Sequence, residues 1–343
     1  MPAIMAAMSV TRRYLALLLA VIGAVAAYSA YWVWIAQRAA DGLEAWAESQ
    51  AAQGWTVAWS RLDARGYPFR LILALQDVAA WNERVALSVE RLDAVAKPWD
   101  LSHVIAEAHG VGRLQQIEGE NVRHWQALWD RAMASARLSG AGEIRRLDLE
   151  MRNLKLDGPQ GLALETTRLR VHGRINRGED AERPEGTRDL ALAVEGTRLP
   201  AMLHGPLGRD LALLEIATRL GGRPETGLAA WRDDGGTLDV NRLALRLGPI
   251  EAEGDATLAL DKAMRPIGAG KVKLRGQDAL IDLLVAQGTL REGEGRLARA
   301  ALTLLAQRDA DQRPYIEAPL TAQDGRLWLG PVALATLPVL DFQ

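Results

Sequence analysis

Cysteine is absent from the chain. A disulfide framework and a lipid-modified N-terminal Cys are therefore excluded. Histidine is scarce: His103, His109, His124, His172 and His204, the closest two being six positions apart, fit neither a zinc pair nor a His-Glu-x-x-His helix. Clustered positive charge is also lacking, because the net charge is −2 and the basic residues, nearly all Arg, are spread among Asp and Glu. A nucleic-acid partner is not expected from that balance, which suits solvated strand faces. Ser139, in Leu138-Ser139-Gly140, lacks the flanking glycines of a nucleophile elbow and reads as a turn serine. Gly268-Ala269-Gly270-Lys271 is followed by Val272 and lacks the earlier Gly of a phosphate loop, so it reads as a β-turn. Asp63 with Asp77, Glu150, and Asp233 with Asp234 are carboxylates available for acid-base work, but at 24% charged residues such neighbours are ordinary. The sequence therefore calls for no metal, no cofactor and no catalytic residue, and a non-enzymatic role is expected.

What the chain does have is an uncharged run from Tyr14 to Ile35, between Arg12-Arg13 and Arg38. Its roughly 22 residues match a hydrocarbon core of about 30 Å. The expected anchor comprises Tyr14, Leu15, Leu18, Leu19, Ile22, Val25, Tyr28, Tyr31, Trp32, Trp34 and Ile35, with the aromatic rings marking the membrane exit. Arg12 and Arg13 before the run, and Asp41, Glu44 and Glu48 after it, predict a single-pass inner-membrane protein. Residues 1–13 would be cytoplasmic and the C-terminal domain periplasmic. The competing reading is a signal peptide cleaved after Ala24-Val25-Ala26. Retention is favoured because apolar and aromatic residues continue well past Ala26.

A connecting helix is expected over 36–54, with Leu43, Trp46, Ala47 and Ala51 at helical spacing and Gly54 as its stop. From Trp55 the period changes to two. Trp55, Val57 and Trp59 alternate, Arg65-Gly66-Tyr67-Pro68 makes a turn, and Phe69, Leu71, Leu73 and Leu75 fall on one face of the next strand. Val85 to Val89, Val104 to Ala108 and Leu147 to Met151 repeat the alternation, which slips by one at a bulge near Asn153. Trp125 and Trp129, four apart, suit a short helix and read as core anchors. The polar segment Asn176 to Asp189 reads as the most mobile loop and a boundary between two halves of an exported domain spanning 55–343. Strands resume at Leu190, around Asp210 to Leu220, from Leu238 and from Ala256, and Asp-Gly pairs favour hairpins over crossovers. Helices are expected at Gln277 to Gln287, with Leu280, Leu283 and Leu284, and at Glu292 to Gln307, with Leu297, Ala301 and Leu305. They separate two echoes, Leu245-Arg246-Leu247-Gly248-Pro249 and Leu327-Trp328-Leu329-Gly330-Pro331, with fainter copies at Gly158-Pro159 and Gly205-Pro206. The predicted fold is mainly β with a few helices (α+β): a transmembrane helix, then a long curved antiparallel sheet that could form a groove or half-barrel.

Gly66-Tyr67-Pro68-Phe69-Arg70 after one N-terminal span, Trp231-Arg232-Asp233-Asp234-Gly235-Gly236, Leu247-Gly248-Pro249, Arg265-Pro266-Ile267-Gly268 and Gly325-Arg326-Leu327-Trp328-Leu329-Gly330-Pro331 resemble, in order and spacing, the bacterial DUF2125 family. The likeness covers essentially the whole chain and implies a membrane-anchored envelope protein of uncharacterised role, with no catalytic residue to carry over. The layout resembles AsmA-like envelope proteins more distantly, an analogy of fold that does not establish function. Two roles are expected from the apolar strand faces. In one, Phe69, Leu71, Leu73 and Leu75 line an apolar groove that holds a lipid or another hydrophobic ligand. In the other, sheet edges bind further envelope proteins. The same leucines could instead pack against the helices.

Overall fold

The computed structural model describes the backbone of residues 2–119, 121–140, 142–176, 186–200, 207–224 and 227–340, and within these the side chains of 12 and of 14 onward. Most of the polar loop after Asn176 and the Gly205-Pro206 copy lie outside the described residues.

Helix α1 runs without a break from Pro2 to Gln50. A final 3-10 turn, Ala51–Gln53, ends at Gly54, whose φ of 78° is the left-handed stop that a residue without Cβ accepts easily. The helix has two regimes. From Tyr14 to Ala27 every residue is exposed, Leu17 at 62%. From Tyr28 a stripe at Trp32, Ile35, Ala36, Ala39, Leu43 and Ala47 is buried or half-buried, with the three-and-four spacing of one helix face. Trp46, expected on that stripe, is 51% exposed because it lies one position off it.

Among the described residues, eighteen strands form one antiparallel sheet. β1 (Thr56–Ala58) and β2 (Arg61–Arg65) both pair with β3 (Leu71–Trp81), followed by β4 (Val85–Lys97) and β5 (Asp100–Glu118). β6 (Asn121–Leu128) and β7 (Arg131–Leu138) share the gap between β5 and β8 (Ile144–Asp157). The meander continues through β9 (Ala163–Ile175), β10 (Arg188–Arg198), β11 (Asp210–Leu220), β12 (Leu238–Leu247), β13 (Ile250–Leu260) and β14 (Pro266–Arg275). Beyond β14 lie β15 (Ala306–Arg308), β16 (Pro314–Gln323), β17 (Arg326–Leu329) and β18 (Val332–Thr336), with β16 next to β14 and β18 outermost. The sheet is long, curved and not closed into a barrel. β9 and β10 pair from Ile175 with Arg188 onward, so the sheet runs continuously past the polar loop.

Several strands bend along one line. Asp77 (φ 50°), Gly110 (φ 84°), Asn153 (φ 49°) and Gly196 (φ 61°) adopt left-handed conformations in β3, β5, β8 and β10, and the pairing is interrupted at each. Such irregularities bend a strand and shift its alternation by one. That shift keeps Leu75 and Val78 of β3, and Met151 and Leu154 of β8, on the same face although each pair is three apart.

One face of the sheet is thus apolar from end to end, and helices cover its two extremities. At the first, Leu71, Leu73 and Leu75 pack with Trp32 and Ala36 of α1, supported by Leu62, Leu92 and Ala94. At the other, α3 (Gln277–Ala286) and α4 (Glu292–Leu304) bury Ile281, Leu284, Ala298 and Leu302 against Ile250, Val272, Leu274, Ile316 and Ala318. The buried row of α4 is Gly295, Ala298 and Leu302; Leu297, expected to be buried, is 74% exposed. The residues from Ala306 join β15 rather than extending α4.

The repeated Leu-Gly-Pro signals are two-residue hairpin turns. Gly248 (φ 52°) and Gly330 (φ 53°) begin them, and the closing pairs are Leu247 with Ile250 and Leu329 with Val332. Ile250, Leu329 and Val332 are each at most 4% exposed and belong to the same core. The echo places two hairpins on one core. One turn expected from sequence is a strand instead. Gly268 to Lys271 is part of β14, where Cβ atoms on Gly268 and Gly270 would strike the β13 backbone, rather than a turn. The Trp231 motif forms a short helix, α2 (Leu228–Asp233), in which the buried Trp231 donates Nε1–H to the Gly221 carbonyl at 2.6 Å. Gly236 lies against that indole and leaves no room for a side chain.

Candidate functional site

The apolar face between the helix-covered ends carries Ala132, Ala134, Leu149, Met151, Leu169, Val171, Leu192, Val194, Leu214 and Ile216, set side by side by the register of β7 to β11. Among the described residues, no helix belongs to a buried cluster with them. At one end of these strands Leu147 and Leu190 are 41% and 49% exposed. Toward the other lies a trough of ≈ 320 Å³ lined by Val78, Leu87, Leu114, Trp125, Trp129 and Leu156, among others.

The two tryptophans of the trough are not on a helix. Trp125 is in β6 and Trp129 lies just beyond it, and each ring rests on a glycine: Trp125 on Gly158 and Trp129 on Gly112. Trp129 donates Nε1–H to the Ala108 carbonyl at 2.9 Å, which satisfies its polar edge and leaves the ring as a wall. Both glycines are needed by close approach, since a Cβ at either would meet the ring inside 3 Å.

Of the residues expected to line a groove, Leu71, Leu73 and Leu75 are 2%, 8% and 3% exposed beneath α1. This position is a packed core, not an open groove, because the stripe of α1 fills it. Phe69 precedes β3 and is 71% exposed, away from that core. The anchor residues divide as well. Tyr14, Leu15, Leu18, Leu19, Ile22 and Val25 are exposed, whereas Trp32 and Ile35 are buried and Tyr28 and Tyr31 are tied to loops of the sheet. Tyr28 donates its hydroxyl to the Pro68 carbonyl, Tyr31 donates to Pro98 at 2.7 Å, and Trp32 Nε1 donates to Arg70 at 3.1 Å. The aromatic cluster therefore has a packing role in addition to any at a membrane exit, so its persistence past Ala26 does not by itself argue for retention.

The opposite face is a ladder of paired charge. Glu150 receives Arg152 at 2.7 Å and Arg168 at 3.2 Å, Glu195 receives Arg170, and Glu215 receives Arg242 at 3.0 Å. The Arg152 hydrogen bond is the main cause that holds Glu150 below its ordinary pKa. This pairing is why Arg, Asp and Glu intermingle along the chain. A depression of ≈ 460 Å³ on this face brings Ser135, Asp148, Glu150, Arg170, His172 and Glu215 together. His172 Nδ1 lies 2.6 Å from Asp148 Oδ1, whereas Ser135 Oγ lies 2.9 Å from a different ring, Nε2 of His103. Burial works to raise the Asp148 carboxyl, but hydrogen bonds from Arg146 and His172 outweigh it and hold the carboxyl below its ordinary value.

Three of the other singled-out carboxylates are engaged too: Asp63 with Arg61 at 2.7 Å, Asp77 with the Ser60 hydroxyl at 2.7 Å, and Asp233 with Arg232 at 2.8 Å. Ser139 holds the β7–β8 turn by accepting the Glu143 N–H at 3.1 Å. His204 lies outside the described residues. Among the described residues, no group of three or more His, Asp and Glu could hold a metal ion. The buried Asp93, with Arg65 at 2.9 Å, Arg91 at 3.0 Å and His109 at 3.6 Å, was not singled out from sequence, because its partners come from three strands. Alternation between Leu92 and Ala94 marks only its face.

These features define a class: an open antiparallel sheet, apolar on one side and charge-paired on the other, with a long N-terminal helix as its first covering element. The chain belongs to the DUF2125 family, described as an uncharacterized protein conserved in bacteria, which matches residues 32–338. The match begins at Trp32, the first buried residue among the described side chains of α1. No curated protein and no solved structure matches the chain. The AsmA-like likeness rests on layout alone.

Proposed function

We propose that this protein is held in the inner membrane by α1, with its N-terminus cytoplasmic and its sheet periplasmic, and that the uncovered apolar face takes up an acyl chain of a lipid or a similar hydrophobic ligand. The observation that carries the reading is the apolar face between the two helix-covered ends, which no helix covers among the described residues, with the Trp125–Trp129 trough on it. An isolated apolar strip of this extent on a soluble surface is a binding site or a liability. Each methylene transferred to it from water contributes about 0.8 kcal/mol. For the anchor, α1 is uncharged from Tyr14 to Ile35 and long enough to cross a membrane, and every residue from Tyr14 to Ala27 is exposed. The side chains from Tyr14 to Val25 therefore need an apolar surrounding that the sheet does not supply.

The role is one of binding rather than catalysis, a reading supported by Ser135 and Asp148 having different histidine partners. The test reconstitutes the full chain in nanodiscs containing a photoactivatable acyl-chain lipid and maps the crosslinked peptides. Crosslinks should fall on β4, β6 and β8, and Ala127→Trp, which fills the trough, should remove them. Crosslinks confined to α1, or an undiminished yield from Ala127→Trp, would sink the proposal. N-terminal sequencing checks the anchor separately, since a mature chain beginning at Ala27 would refute it. A second reading, assembly with other envelope proteins, is favoured by β18, a short outer strand whose recorded pairing is with β17.

A further inference from the structure

Two loops of the sheet are fastened to α1 at a particular height. Tyr28 and Trp32 bind the carbonyls of Pro68 and Arg70 in the turn before β3, and Tyr31 binds the carbonyl of Pro98 between β4 and β5. The first turn is closed by Arg70 N–H to Gly66 O at 3.0 Å, with Gly66 at φ 102°, and Tyr67 stands edge-on to Trp32 at 5.8 Å. Pro98 is fully buried. These contacts fix both loops against the turn of α1 that carries Tyr28 to Trp32.

Counting along the helix gives their depth. A span starting at Tyr14, just after Arg12-Arg13, needs about 20 residues to cross a hydrocarbon core of about 30 Å, and so ends near Val33. Tyr28 then sits about 8 Å short of that end, at 1.5 Å per residue. Tilt of the helix would lengthen the span and place the loops deeper. The side chains displayed at this level suit that location. Phe69 is 71% exposed, Trp99 60%, Trp34 56% and Tyr67 48%, with the exposed Arg70 and Lys97 beside Phe69 and Trp99. Aromatic rings flanked by basic residues match the boundary between acyl chains and phosphate headgroups.

We propose that the turns at 66–70 and 97–100 form a second membrane contact, in which Phe69 and Trp99 enter the leaflet surrounding the exit of α1 while Arg70 and Lys97 meet lipid phosphates. The base of the sheet is then seated in the bilayer rather than suspended above it, and its orientation to the membrane is fixed by three points instead of one. This proposal rests on α1 spanning the membrane and is independent of whether the trough holds an acyl chain.

The lack of cysteine makes the test direct. Single variants Phe69→Cys, Trp99→Cys, Ile22→Cys and Leu304→Cys of the full chain carry an environment-sensitive fluorophore and are placed in phospholipid nanodiscs. Nitroxide lipids labelled near the headgroup or deep in the chain serve as quenchers. Labels at 69 and 99 should lose about twofold or more of their emission to the shallow quencher, as expected for side chains at the headgroup–acyl boundary. The label at 22 should respond best to the deep quencher, and the label at 304, on a residue 88% exposed on α4, to neither. Quenching at 22 with labels at 69 and 99 as bright as that at 304 would overturn the loop contact alone. Absence of quenching at 22 would overturn the anchor and this inference together.

Discussion

Replacing Trp32 by Ala tests whether the second half of α1 is part of the folded domain or a tether above it. The indole is 8% exposed, packs with Leu71, Leu73 and Leu75, donates to the Arg70 carbonyl at 3.1 Å and meets Tyr67 edge-on at 5.8 Å. Truncating a buried Trp costs about 3–5 kcal/mol. The lost hydrogen bond, about 0.5–1.5 kcal/mol, and the ring pair, of similar size, are components of that figure and are not added to it. Trp34, two positions on, is 56% exposed and faces away from the sheet, so Trp34→Ala should cost under about 1 kcal/mol. The assay is urea unfolding of the full chain in nanodiscs, followed by pulse proteolysis of the β-domain. A large downward shift of the midpoint is expected for Trp32→Ala, with Trp34→Ala near the parent. Equal midpoints for the two variants would refute the docking of α1 on the sheet, whether or not the helix is inserted.

Other outcomes follow from particular contacts. Leu302 and Ile316 are 0% exposed at the α4–sheet contact, and Leu302→Ala or Ile316→Ala should each lower stability by about 2–5 kcal/mol in the same titration. Gly248→Ala and Gly330→Ala place a Cβ at the same positive φ, a strain of about 1–3 kcal/mol. A Cβ at 248 would also strike the Leu207 carbonyl, whereas at 330 nothing lies within 4 Å, so thermal melts should show Gly248→Ala as the more damaging. Asp309 accepts N–H groups of Arg313 and Asp311 and the guanidinium of Arg275; the Arg313 bond is the main cause that holds its carboxyl below 3.8. A depressed folded pKa gives stability that is complete above the unfolded value and is lost as pH falls through the folded one. The difference in melting temperature between parent and Asp309→Asn should therefore be constant at neutral pH and shrink only below about pH 4. A difference that closed between pH 5 and 7 would contradict it.

Local chemistry was legible wherever one residue's neighbours in sequence decide its environment. The uncharged run fixed a membrane-length helix, Gly54 its end, the period of two the strands, and Gly248-Pro249 and Gly330-Pro331 the hairpin turns. The slip at Asn153 fixed a bend, because the shift of alternation is itself a sequence pattern. What covers each apolar strand was not legible, because alternation marks a face without naming its partner. Only the tertiary structure put α1 over Leu71, Leu73 and Leu75, left β7 to β11 without a helix among the described residues, and set Trp125 and Trp129 on glycines distant in sequence. The same limit applies to Phe69. Its spacing from Leu71 suggested a shared face, but the Gly66–Arg70 turn and its bonds to Tyr28 and Trp32 turn it outward. Periodicity sets which side of a strand is apolar. Packing between distant segments sets whether that side becomes core, trough or membrane contact.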